Sequence, residues 1–172
     1  MPPKLKIVSE PFFQRVVYEG ANPHLLVKEI RDRLARVMTI SPTDIEEYDY
    51  QHKKLPGGKE EFSVYLEAYK KMDVFSRIVL AVTISGEMVP VGKGEVEFEG
   101  TLDVFINGTV ETIYKQETAI QSSLLFTAFR SFYHKVLYND VLEEYEERMK
   151  KYVIRVTDEI RSFFNLMKRH GG

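Results

Sequence analysis

The stretch "GEVEFEGTLDVFINGTVETIY", Gly94 to Tyr114, decides how the chain is read. Val96, Phe98, Leu102, Val104 and Ile106 alternate with Glu95, Glu97, Glu99, Thr101 and Asp103. Successive side chains of a strand point to opposite faces, so this is a half-buried strand with one apolar and one wet face. Carboxylates at i, i+2 and i+4 stand about 6.6 Å apart and could line a metal groove, but a solvated face explains them first. Asn107-Gly108 is a strong two-residue hairpin signal. Such a turn pairs Ile106 with Thr109 and Val104 with Glu111, and directly paired residues share a face. The expectation is therefore that Glu111 points inward, where it must be paired, protonated or facing a watered cavity, unless the hairpin tip overhangs the core or a bulge flips the register.

Working outward from this strand, the period is two from Glu46 to Lys115. Tyr48, Tyr50 and His52 alternate with Asp49, Gln51 and Lys53, and "LPGGKE" turns the chain into "EFSVYLEAYKK". A second turn at Met72-Asp73 leads into "FSRIVLAVTIS". The pattern predicts an antiparallel meander of five or six strands. Before it, "LKIVSEPFFQRVVYEG" reads as one strand interrupted at Pro11 or as two short ones. "ANPHLLVKEIRDRLARVM" follows, with Asn22 as expected N-cap, Pro23 at the first helical position, and Leu26, Ile30, Leu34 and Val37 on one face. Ser41 caps a short turn. After Gly108 no Gly or Pro occurs until Gly171. Two apolar stripes predict helices there: Leu124 to Val136, then Val141, Tyr145, Met149, Tyr152, Val156, Ile160, Phe163 and Met167, with Asn139-Asp140 between them.

The 172 residues suit one domain, 44% hydrophobic and 29% charged, with net charge −2 and a pI of about 6.1. No basic surplus points to nucleic acid. The chain has no cysteine, which excludes disulfides, thiolate metal sites and a cysteine nucleophile and fits a cytoplasmic protein. "MPPKLKIVSEPFF" does not read as a secretory signal, no apolar run is long enough to span a membrane, and the Asn107-Gly108-Thr109 sequon is not read as a glycan site. Abundant Lys, Glu and Arg with few Asn and Gln hint at a thermophile. His24, His52, His134 and His170 have no metal-ligand spacing, and no metal or cofactor is expected. "GKGE" is neither a P-loop nor a dinucleotide fingerprint, and there is no nucleophile elbow. "EEYEERMKK" offers Glu144–Arg148, Glu146–Lys150 and Glu147–Lys151 pairs on a wet helix face. The terminal Gly-Gly reads as a helix cap rather than as the tail of a ubiquitin-like modifier.

Strand, capped helix, meander and long terminal helix give an α+β fold, residues 1–172 as one domain with 139–172 as the C-terminal helix. "NPHLLVKEIRDRL", "GEVEFEGTLDVFINGTVETIY" and "YVIRVTDEIRSFFNLMKRH", in that order, make the chain resemble the Bet v 1-like superfamily. That group is also called START-like or helix-grip and includes polyketide cyclase-like proteins. The chain departs from it in lacking a glycine-rich loop and in its longer helical tail. The resemblance implies a curved antiparallel sheet wrapped around the C-terminal helix, with a cavity between them for a lipid-, sterol- or polyketide-like molecule. Phe129, Phe132 and Tyr133 would wall that cavity, and Tyr48, Tyr50, His52 and Glu111 would orient its ligand. Two alternatives stay open. One is a cyclase- or hydratase-type enzyme using Glu111 or His52 as general base. The other is an interaction protein whose C-terminal helix forms a homodimer seam.

Overall fold

The computed structural model describes residues 4–115, 128 and 138–171. Its elements are β1 (Lys4–Val8), β2 (Phe12–Ala21), α1 (Leu25–Met38), a 3-10 turn (Pro42–Asp44), β3 (Ile45–Lys54), β4 (Glu60–Lys71), β5 (Ser76–Lys93), β6 (Val96–Lys115) and α2 (Asn139–Gly171). The class is α+β, an open antiparallel sheet of six strands with a long C-terminal helix. The strand order is β1-β6-β5-β4-β3, and β2 runs beside β1 along the same edge of β6. Pro11 separates β1 from β2, as a residue with no N–H to give the ladder should.

The meander has four strands, not five or six, because β5 continues through Gly86 and β6 through Gly108 instead of ending there. Gly86 lies opposite Leu102 and Gly100 opposite Met88. A Cβ on Gly100 would stand 1.9 Å from the carbonyl oxygen of Glu87. The tight hairpin is at Gly94-Glu95, where Gly94 takes φ 64°.

Asn107-Gly108 is no hairpin. Both residues lie inside β6, between Phe13 and Phe12 of β2 and Ala81 and Leu80 of β5. Gly108 faces α2: a Cβ there would meet Met149 Sδ at 2.5 Å and Val153 Cγ2 at 2.7 Å. The glycine is the seat of the helix, and two flanking strands supply the ladder bonds that keep the strand straight through it.

α2 lays Met149, Val153, Val156, Ile160, Phe164 and Met167 on β2, β6 and α1. Of the stripe read as a possible dimer seam, Met149, Tyr152, Val156, Ile160 and Met167 are buried in the chain's own fold, and Val141, Tyr145 and Phe163 are half-buried. α1 buries Leu26, Ile30, Leu34 and Met38 in the same core, facing Val64, Leu66, Leu80, Val82, Val104 and Ile106 of the sheet. Arg33 and Arg36 of α1 share Glu159 of α2, at 2.7 and 2.9 Å. Asn22 is not the helix cap. At φ 48° it accepts from the amides of Glu97 and Phe98 and donates to the Glu95 carbonyl, stitching the β2–α1 corner to β6. Ser41 does cap the 3-10 turn, accepting from Thr43 N–H. Among the described residues no helix is long and apolar enough to cross a membrane.

Candidate functional site

Because β6 is continuous, Glu111 shares parity with Asp103 and Phe105 and lies on the outer face, away from α2. It is nonetheless buried, 9% exposed. Lys6 of β1 reaches it at 2.9 Å and Arg77 of β5 at 2.8 Å. Arg77 in turn lies 4.4 Å over the Tyr69 ring of β4. The Tyr69 hydroxyl hydrogen-bonds the Glu67 carboxylate and the Tyr48 hydroxyl of β3, and Tyr48 donates to Glu46 at 2.5 Å. Charge and aromatic contacts therefore cross the outer face from β1 to β3, joining Glu111 to Tyr48 through Arg77 and Tyr69. Tyr65 donates to Glu67 beside them at 2.7 Å, and burial followed by that bond pushes its hydroxyl up to about 12.

Burial opposes ionisation of Glu111, but the hydrogen bonds and charges of Lys6 and Arg77 outweigh it and hold the carboxyl below its usual value. A glutamate whose folded-state pKa is depressed stabilises the fold above its unfolded value and loses that contribution as pH falls through the folded one. Glu111→Gln is therefore expected to cost about 1 kcal/mol near neutrality, modest because Lys6 and Arg77 are half exposed. In denaturant titrations followed by circular dichroism, the gap between wild type and variant should close below about pH 4. A gap that stays constant with pH would show that the ion pairs do not hold Glu111 ionised.

Tyr48, Tyr50 and His52 do not share a face. A bulge between Glu47 and Asp49 turns Tyr48 outward, whereas Tyr50 and His52 pair with Val64 and Phe62 and face the helix side. His52 lies 3.3 Å from the buried Glu60 carboxylate. Phe129, Phe132 and Tyr133 lie outside the described residues. The predicted site residues thus separate into an outer network (Tyr48, Glu111) and an inner pair at the edge strand (Tyr50, His52).

Two features were not anticipated. One is a polar clamp at the β4–β5 turn. Asp73 accepts from the amides of Phe75 and Ser76 at 2.7 and 2.8 Å, from Tyr145 of α2 at 2.8 Å, and from Tyr138. Burial opposes its charge, yet these donors hold it below the ordinary aspartate value, so it works as a clamp and not as a base.

The other is a cavity of about 490 Å³ where the C-terminal half of α2 meets α1 and the ends of β2 and β6. Ala21, Leu25, Val96, Phe163, Leu166 and Met167 give it an apolar lining, and Asn22, Glu29, Arg33 and Glu95 form its polar side. Arg33 is held by Glu159 and by the Phe163 ring, 4.9 Å from the guanidinium carbon. Its Nε–H is buried without a hydrogen-bond acceptor, the Glu29 carboxylate standing 3.8 Å away. A half-open apolar pocket with a guanidinium on its polar side fits an apolar body with an acceptor group at one end. The only sequence signal for it was Leu166, an apolar residue outside the buried period of α2. Among the described residues no three His, Asp or Glu gather closely enough to hold a metal.

No family model matches the chain, and no curated protein does. Among solved structures it is similar to a delta-endotoxin at 9% identity and a TM-score of 0.36, over 67% of this chain and 63% of that one. It is also similar to a putative uncharacterized protein from Rhizobium leguminosarum (8% identity, TM-score 0.18, 90% of this chain and 99% of that one). The Mll3558 protein from Rhizobium loti is similar at 10% identity and a TM-score of 0.19, over 88% of this chain and 99% of that one. At these TM-scores the likenesses carry no weight for fold or function.

Proposed function

We propose that this protein binds or carries an apolar, lipid-, sterol- or polyketide-like small molecule. The ligand body lies between Leu25, Val96, Phe163, Leu166 and Met167, with a polar end at Arg33. The cavity itself carries the proposal: its volume of about 490 Å³ is that of a small-molecule site, and its lining is apolar with few convergent polar groups. The element order supports a place beside helix-grip proteins, and the cysteine-free composition supports a cytoplasmic setting.

Leu166 is 49% exposed, so a charge there should leave the fold intact while spoiling the chamber. Titration with a fluorescent long-chain fatty acid is expected to saturate at one molecule per chain, and Leu166→Glu to weaken it at least about tenfold. Absence of saturable binding, or equal affinity in the variant, would remove the proposal.

A further inference from the structure

The strand β3 is a bare edge: β4 pairs with one side, and among the described residues no strand pairs with the other. All of it beyond Ile45 is exposed, and it contains no proline. Exposed edges are usually kept apart by charges and bulges, and β3 has both. Its charges, however, are sorted by sign. Glu46, Glu47 and Asp49 fill the first half, and His52, Lys53 and Lys54 the second.

A strand that is acidic at one end and basic at the other is complementary to itself when run antiparallel. The bulge makes the match symmetric. With Tyr48 outside the ladder, Ile45, Glu46, Glu47 and Asp49 precede Tyr50, and Gln51, His52, Lys53 and Lys54 follow it, four on each side. A two-fold axis through Tyr50 then sets Glu46 opposite Lys53 of a second copy, Glu47 opposite His52, and Asp49 opposite Gln51. Faces agree as well. Glu46 and Lys53 both pair with outward residues of β4, Glu67 and Glu61, while Glu47 and His52 both pair with inward ones, Leu66 and Phe62. Counted without the bulge, the same strand would set inward residues against outward ones.

We propose that β3 is the docking edge for a second copy of this chain, joined antiparallel about Tyr50 into one continuous sheet. Glu47 has Arg31 only at 4.0 Å and Lys53 has no ion pair among the described residues, while Glu46, which accepts from Tyr48 at 2.5 Å, and His52, 3.3 Å from Glu60, would share their charges with the second copy. None of the residues lining the apolar cavity lies on β3, so the dimer stands or falls independently of the proposed ligand.

The test is sedimentation equilibrium of the full chain from micromolar to millimolar concentration, at low and at physiological salt. Wild type should dimerise, less tightly as salt screens the exposed pairs. The variant E46K/E47K, which sets lysines against His52 and Lys53, and H52E/K53E, which sets glutamates against Glu46 and Glu47, should each lose at least about tenfold in dimer affinity. An equimolar mixture should dimerise again, because every opposed pair is then complementary, and that recovery also shows that both variants are folded. A wild type monomeric throughout would overturn the proposal, as would a dimer untouched by E46K/E47K or a mixture that fails to reassociate.

Discussion

Gly108→Val is expected to destabilise the fold by about 3 kcal/mol, and Gly108→Ala by about 1–2 kcal/mol. In an ordinary strand a glycine is the weaker residue, and replacing it should help. Here the added Cβ would overlap Met149 and Val153, which stand 2.5 and 2.7 Å from where it must go. Met149 can flex away from a single methyl, but both contacts sit in a core where neither side chain is exposed at all. The β-branched variant therefore forces α2 off its seat. A double-mutant cycle separates this cause from any turn requirement. If the clash is the reason, Gly108→Ala and Met149→Ala together should cost at least about 1 kcal/mol less than their sum. If the two effects simply add, close packing of α2 on β6 is not why residue 108 is a glycine.

The same glycine explains which parts of the fold were legible in the sequence. Helices α1 and α2 were, because Leu26, Ile30 and Leu34, and Met149, Val156 and Ile160, repeat over several turns and all bury, whereas the helix expected over Leu124 to Val136 lies outside the described residues. The turns at "LPGG" and Met72-Asp73 were, because no competing partner contests them, and Glu95, Glu97 and Glu99 do form a wet face. Asn107-Gly108 failed because a local turn preference was opposed by ladder bonds to β2 and β5 and by the room that α2 needs. That single error moved Glu111 to the wrong face, since in a period of two every later residue inherits a reversal.

The candidate site was less legible than the fold. Tyr48 and Tyr50 looked like neighbours on one face until a bulge separated them, and bulges leave no mark in an alternating pattern. The apolar cavity draws residues from positions 21 to 167, so no local window contains it. Electrostatics was the most deceptive element. Glu111 is an acidic side chain amid apolar neighbours, which in a sequence suggests a base in a pocket, but it is saturated by donors that only the folded topology delivers.

Asp73→Ala should be the most damaging polar substitution, costing about 3–4 kcal/mol. Its carboxylate stops two backbone donors at the β4–β5 turn and ties the first turns of α2, through Tyr145 and Tyr138, to that turn. Removal leaves Phe75 N–H and Ser76 N–H without their acceptor, and the start of α2 loses its tether to the sheet. Asp73→Asn divides the effect. Its amide oxygen can still accept from the turn, but its nitrogen cannot accept from the tyrosines, so a loss of about 1–2 kcal/mol is expected. Tyr145→Phe should cost about 1 kcal/mol in wild type and almost nothing in the Asp73→Ala background. With no tryptophan in the chain, urea unfolding followed by circular dichroism is the measurement. Equal losses for Asp73→Ala and Asp73→Asn would place the whole contribution in the charge, and a Tyr145→Phe penalty undiminished without Asp73 would break the link between turn and helix. The expected ordering instead makes this one carboxylate the point at which the N-terminal end of α2 is registered on the sheet, as Gly108 registers its middle.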